Sequence, residues 1–182
     1  MTDINYQLSK ELGDELKRIG ATISTVESCT GGGLASSMTD VSGSSQWFTS
    51  GLVTYSNFSK KNILGVQEEL ISSLGAVSLE VVREMAIKGL QKTGSDYVIS
   101  ISGIAGPSGG SPGKPIGTVC IAWGNTDMIE SKIFFFSGDR QKVRKQTIET
   151  SLKEMLKYLD IYLYLQMKIK LVREKNYQQM NI

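Results

Sequence analysis

The stretch VESCTGGGLA, residues 26–35, decides how this chain is read. It overlaps ATISTVE, residues 21–27, a β-branched run bounded by Gly20 and by turn-forming residues, which predicts a short strand. Ser28, Cys29 and Thr30 come next, then three consecutive glycines, after which Leu34, Ala35 and Met38 carry helical spacing. A helix starting near Gly31 or Gly32 directly behind a strand sets backbone amides where an anion is readily bound. The same residues also fit a plain turn capped by Ser28 or Thr30.

Working outward, Ile4, Leu8, Leu12, Leu16 and Ile19 recur at spacings of three and four, one apolar helical stripe that Gly20 stops. WFTSGLVTYSN, residues 47–57, predicts a strand whose internal Gly51 marks a bulge. Residues 60–64 and 68–73 predict short helical turns. Ser78 opens a helix with Val82, Met85, Ala86 and Leu90 on its apolar side, ended by Gly94. Three more strands follow, DYVISIS from Asp96, GTVCIAW from Gly117 and MIESKIFFF from Met128. Asp139 caps a last helix whose buried side is Val143, Ile148, Leu152, Met155, Leu156 and Leu159. Strand-helix-strand crossovers beside a hairpin-like pair predict an α/β domain, a three-layer α/β/α sandwich with a mixed, mostly parallel sheet of about five strands. We expect one domain over residues 1–160, with 161–182 as a helical extension or frayed tail.

Composition excludes several function classes. Of 20 basic and 18 acidic residues, four and one lie in residues 161–182, which leaves residues 1–160 at net −1. Nucleic acid is therefore not an expected partner, since counterion-driven binding needs a clustered basic face. No apolar run reaches the roughly 18 residues of a spanning helix, and the polar start of the chain predicts no targeting segment. Two isolated cysteines, outside any CxxC pair, fit a reducing cytoplasm. The absence of histidine removes every imidazole base, and with it the Ser-His-Asp arrangement and the usual histidine-containing zinc sites. No metal site and no organic cofactor are expected.

Without histidine, a nucleophilic hydroxyl has to pass its proton to lysine, a carboxylate, tyrosinate or water. TYSNFSK, residues 54–60, leaves a strand and gathers Tyr55, Asn57 and Lys60 in a short turn. Read alone, such a lysine is a solvated surface charge. Bringing an ordinary lysine down to serve near neutral pH changes the balance of its two protonation states by about 4 kcal/mol. Burial or a nearby cation, Lys61 or Arg140, would supply that change. GIAGPSGGSPGKP, residues 103–115, is a second glycine-dense loop behind a strand, where ligands gather in α/β sheets. It lacks the Walker and dinucleotide spacings, and composition alone reads it as a plain flexible loop. Cys29 competes with Ser28 as nucleophile or is a small buried side chain. Arg140 reaches an anionic substrate group or decorates an exposed basic helix face.

Taken together, ESCTGG (27–32), YSNFSK (55–60), GAVS (75–78), SGIAGPSGG (102–110), KPIGTV (114–119) and FSGDR (136–140) resemble the CinA C-terminal domain family, the nicotinamide-nucleotide amidohydrolases. The resemblance runs in order from about Leu8 to Leu159. It implies deamidation of nicotinamide mononucleotide to nicotinate mononucleotide and ammonia in pyridine-nucleotide salvage, by a cytoplasmic bacterial protein that is often dimeric and needs no metal or organic cofactor. Carried onto this chain, it implies Ser28 as nucleophile, Lys60 as base and Tyr55 as assisting tyrosine. Ser102 stands at a position often filled by threonine, and Arg140 matches an arginine expected at the substrate. Gly31, Gly32, Asn57, Gly103 and Gly106 complete the expected substrate-binding set, with the oxyanion assigned to amides near Gly31 and Gly32 or in the 103–106 loop. Longer members carry an N-terminal domain associated with nucleotide pyrophosphatase activity, which is not expected here. Two other readings stay open at this point: a non-catalytic nucleotide-sensing or protein-interaction module of the same family, and a different serine-lysine hydrolase acting on peptides or lactams.

Overall fold

The computed structural model describes residues 3–180, with side chains described as far as Leu171. Helix α1, Ile4–Ile19, is capped by Asp3 and closed by Gly20 in the left-handed conformation, φ 67°. It precedes β1, Ile23–Glu27, and α2, Gly33–Thr39. Strand β2, Phe48–Val53, leads through a short α3, Asn57–Ser59, into a π-helical turn, Lys60–Leu64. Helices α4, Glu68–Leu74, and α5, Leu79–Thr93, follow, then β3, Tyr97–Gly103, β4, Thr118–Gly124, and β5, Ile129–Phe135. Helix α6, Arg140–Met180, closes the chain.

The five strands lie in the order β2-β1-β3-β4-β5. β1 pairs in parallel with both β2 and β3, whereas β4 is antiparallel to both β3 and β5. Four strands thus share one direction and β4 alone is reversed, which makes the sheet mixed and mostly parallel. The central β1, β3 and β4 are buried along nearly their whole length, while the edge strands β2 and β5 alternate in exposure.

Period-two alternation splits the interior into two cores. Ile99 and Ile101 of β3 and Val119, Ile121 and Trp123 of β4 face α1, α2 and α6. Val98, Cys120 and Ala122 face the opposite side with Val81, Val82, Met85, Ala86 and Leu90 of α5. The α5 stripe and its Ser78 cap fall where their spacing places them, and Ser78 accepts from the Val81 amide. In α6, Val143, Ile148, Leu152, Met155 and Leu159 are buried and Leu156 is partly so. The helix continues unbroken beyond the sheet, and Ile161, Tyr164, Leu165 and Ile169 are exposed on it.

Three local expectations are corrected. The strand predicted over residues 47–57 ends at Val53, because Ser56 and Ser59 form a reciprocal cap that starts α3. The irregularity in β2 is at Thr49, skipped between the pairs Ile23 with Phe48 and Ser24 with Ser50, and not at Gly51. Gly51 instead lets α2 approach the sheet, since an added Cβ would lie 2.6 Å from the Ala35 Cβ and 3.1 Å from the Thr25 Oγ1. Helix α2 starts at Gly33, and neither Ser28 nor Thr30 caps it.

The Ala35 Cβ is fixed to the α2 backbone and cannot rotate away, so Gly51→Ala is expected to destabilise the protein by about 1–3 kcal/mol in urea denaturation. Gly113→Ala, where nothing lies within 4 Å, is the control and should stay within about 0.5 kcal/mol of wild type.

Candidate active site

β1 has β2 on one side and β3 on the other, and the chain reaches them by connections over opposite faces of the sheet. Such a switch point opens a crevice at the carboxyl ends of the strands. Ser28 follows β1, Tyr55 and Lys60 follow β2, and Ser102 and Gly103 end β3. The exits are tied together by backbone bonds: the Thr54 amide donates to the Glu27 carbonyl at 2.8 Å and the Ser28 amide to the Ile101 carbonyl at 3.0 Å. A cleft of about 240 Å³ results, lined among others by Ser28, Tyr55, Asn57, Lys60, Ser102 and Arg140. A larger groove of about 520 Å³ beside Phe58 shares Asn57 with it but contains neither Ser28 nor Lys60.

Lys60 is 1% exposed. Its Nζ lies 2.8 Å from the Ser28 Oγ, 2.9 Å from the Thr54 carbonyl oxygen and 3.2 Å from that of Tyr55. The Ser28 hydroxyl also reaches the Tyr55 carbonyl at 3.3 Å. An ammonium satisfies all three acceptors. A neutral amine donates to the two carbonyls and turns its lone pair to the Ser28 O–H. Both protonation states are thus hydrogen-bonded without rearrangement. Burial pushes the lysine down from 10.5 to about 8. The expected helper cations do not contribute, because Lys61 pairs with Glu68 and Arg140 is drawn to Tyr55 and Gly106. The π-helical turn, closed by the Gly65 amide on the Lys60 carbonyl, directs both Lys60 and Leu64 inward.

Cys29 is buried in the α1/α2/α6 core, and burial pushes its thiol up to about 11. It is therefore a packed thiol and not a rival nucleophile. Tyr55 is 59% exposed and its phenol accepts from the Arg140 Nη2 at 3.1 Å, whereas it is the Tyr55 carbonyl that meets Ser28 and Lys60. Arg140 also donates from Nη1 to the Gly106 carbonyl at 2.9 Å. Ser102 is buried and spends its proton on the Ala76 carbonyl at 2.6 Å, which ties the 75–78 loop to β3. Ser111 and Lys114 form an S-x-x-K tetrad that is no dyad, because the Lys114 ammonium goes to the Leu74 carbonyl at 2.8 Å.

The glycine amides behave differently from expectation. The Gly31 amide donates to the Ser28 carbonyl at 3.0 Å and the Gly32 amide to the Glu27 Oε2 at 3.0 Å. Among the described residues, the amides at this turn without an acceptor are those of Cys29 and Thr30, and across the cleft those of Ala105 and Gly106. Sequence reasoning passed over Glu27 and Arg144, which donates to the Thr30 carbonyl at 2.6 Å. The available signal was a charged residue ending an otherwise uncharged β-branched strand directly before a glycine turn. Among the described residues, no group of three or more acidic or cysteine side chains is placed to hold a metal ion, and no helix is long and apolar enough to cross a membrane.

A buried serine-lysine pair at a switch point of a mixed α/β sheet sets the class, and sequence comparison supplies the family. The CinA C-terminal domain family matches residues 5–159, and the chain belongs to it. The nicotinamide-nucleotide amidohydrolase PncC of Pseudomonas putida is 48% identical over 149 residues, 82% of this chain and 93% of that protein. Its namesake from Escherichia coli (strain K12) is 49% identical over 158 residues, covering 85% and 95%. The crystal structure of the competence or damage-inducible protein from Enterobacter asburiae superposes with a TM-score of 0.83 at 37% identity, covering 87% of this chain and 99% of that one. The competence/damage inducible protein CihA from Agrobacterium tumefaciens gives 0.82 at 34% identity, covering 88% and 97%.

Only the neutral amine accepts a proton, and its fraction grows as pH rises through the Lys60 value of about 8. The rate at which a fluorophosphonate probe acquires Ser28 should therefore climb tenfold per pH unit below that value and level off above it. A rate that is flat from pH 6 to pH 9 would contradict this.

Proposed function

We propose that this amidohydrolase deamidates nicotinamide mononucleotide to nicotinate mononucleotide and ammonia through a Ser28 nucleophile and a Lys60 base. The observation that carries the reading is the 2.8 Å contact between the buried Lys60 Nζ and the Ser28 Oγ. Support for the substrate comes from the family and from relatives named as nicotinamide-nucleotide amidohydrolases over nearly their whole length.

In the first half-reaction Lys60 takes the Ser28 proton as Oγ attacks the carboxamide carbon. The tetrahedral oxyanion is held by unclaimed amides, that of Cys29 beside the nucleophile or those of Ala105 and Gly106 in the expected 103–106 loop, since the Gly31 and Gly32 amides are already taken. Lys60 returns its proton to the departing nitrogen, ammonia leaves and a Ser28 ester remains. Water then attacks the ester carbon, passes a proton to Lys60, and the carboxylate is released as Ser28 regains its hydrogen. The net reaction consumes one water per amide.

The substrate phosphate belongs on the Arg140 side of the cleft. Glu27 already occupies the start of α2 with a carboxylate, and a second anion there would be repelled. The Arg140 guanidinium has two contacts, to Gly106 and Tyr55, and keeps further N–H donors for phosphate oxygens. Asn57 and Gly103 line the same cleft and complete the substrate wall. Two free, buried cysteines fit the reducing cytoplasm proposed for this reaction, and the resemblance supports a homodimer or higher homo-oligomer there.

Ammonia release from nicotinamide mononucleotide tests the reading. Ser28→Ala should lower kcat by about 1,000-fold or more, and Lys60→Met by about 100- to 10,000-fold. Arg140→Met should act mainly on KM, raising it about 10- to 100-fold through loss of charge-assisted bonds. Undiminished release by Ser28→Ala would remove its proposed role.

A further inference from the structure

Glu27 is the last residue of β1, adjacent to Ser28, and is fully buried. Among the described residues no cation lies within ion-pair distance of it. A buried carboxylate without a counter-ion has to be compensated by hydrogen bonds. Its Oε2 accepts from the Gly32 amide at 3.0 Å and the Leu34 amide at 3.1 Å. Its Oε1 accepts from the Ala35 amide at 2.8 Å and the Thr25 hydroxyl at 3.2 Å. Gly32, which stands at the cap position of α2, has no side chain to offer. The preceding strand therefore supplies the acceptors that a capping side chain would otherwise provide.

The other flank of the turn is held from α6. Arg144 donates its Nη2 to the Thr30 carbonyl at 2.6 Å, while its Nε is buried with no partner. Leaving a guanidinium nitrogen unpaired is costly, and the contact the side chain does make, to the Thr30 carbonyl, works against that cost. Its Nη2 would lie 3.7 Å from a Cβ added at Gly31, so the arginine packs on the turn itself.

We propose that Glu27 and Arg144 are positioning residues for the reaction proposed above, together fixing the turn from Ser28 to Gly33. Glu27 claims the Gly32, Leu34 and Ala35 amides, Arg144 claims the Thr30 carbonyl, and the turn's own bonds claim the Gly31 and Gly33 amides. On this side of the cleft the Cys29 amide, beside Ser28 in the lining, is what remains for a developing oxyanion. Neither positioning side chain is hydrogen-bonded to Lys60 or to the Ser28 hydroxyl. Their effect is on where Ser28 and its flanking amides stand, and the protonation of the base is left alone. The carboxylate is specific for this task, because glutamine keeps the length but replaces one acceptor oxygen with an NH2 group facing N–H donors.

The inference rests on the serine-lysine reading, and the experiment separates the two. Covalent labelling by a fluorophosphonate probe is measured beside ammonia release from nicotinamide mononucleotide for wild type, Ser28→Ala, Glu27→Gln and Arg144→Met. Labelling of wild type but not of Ser28→Ala establishes the nucleophile whatever the amide substrate, and unlabelled wild type sinks that reading instead. Glu27→Gln should lose about 10- to 100-fold in both labelling rate and kcat, and Arg144→Met about 3- to 10-fold. KM should stay within about threefold, and the midpoint of the pH profile should remain that of wild type. A general loosening of the fold would move KM and that midpoint as well. Labelling within twofold of wild type in either folded variant, or a shifted pH midpoint, overturns the proposal. Should Glu27→Gln show no cooperative unfolding transition, Arg144→Met decides alone by the same criteria.

Discussion

Everything in this site depends on keeping a lysine amine out of water while giving it three oxygen partners. Burial alone disfavours the ammonium and brings Lys60 to about 8, where roughly a tenth is neutral at pH 7. Burial without partners would strand the N–H groups, and the Thr54 and Tyr55 carbonyls prevent that. Those carbonyls are available because β2 stops at Val53 and the chain turns at the serine cap of α3. A lysine placed on a continuing strand would have met ladder-bonded carbonyls and solvent. The end of an edge strand thus becomes a proton acceptor for a hydroxyl on the neighbouring strand.

The sheet makes the pair a fixed distance apart. β1 and β2 are parallel neighbours whose ladder continues into the Thr54 amide on the Glu27 carbonyl, and β3 holds Ser28 through its own amide. Ser28 and Lys60 therefore inherit the spacing of adjacent strands and do not depend on a long loop. The two glycine loops then divide the remaining work. The first is filled from inside by the Glu27 carboxylate, so its helix terminus is neutralised before any substrate arrives. The second, with Arg140 bonded to Gly106, is where unsatisfied positive potential remains for an anionic ligand.

Much of this was legible because it is local. The α1 stripe, the Ser78 cap, the Gly94 stop and the β3 and β4 runs follow from periodicity and capping, and their boundaries hold within a residue or two. Ser28 and Lys60 were legible through the family resemblance, the absence of histidine having only left lysine as one of several open bases for a hydroxyl. What local reading missed depends on contacts distant in the chain. Gly51 looks like a bulge until Ala35 of α2 is set against it. Gly31 and Gly32 look like free amides until the Ser28 carbonyl takes the first and the Glu27 carboxylate reaches forward five residues to take the second. Arg144 reads as surface charge because its partner, the Thr30 carbonyl, is 114 residues away. Tyr55 was noticed for its phenol, yet it is the backbone oxygen that touches Ser28 and Lys60, and a backbone contact leaves no mark on residue type.

The most direct test is the titration of Lys60 itself. With lysines labelled at the ε carbon, and Lys60→Arg used to assign the signal, the Lys60 resonance should move with a midpoint near 8 in the free protein. A Lys60 signal that keeps its charged position up to pH 10 would show a permanent ammonium beside Ser28, and the account of a neutral amine taking the serine proton would be contradicted.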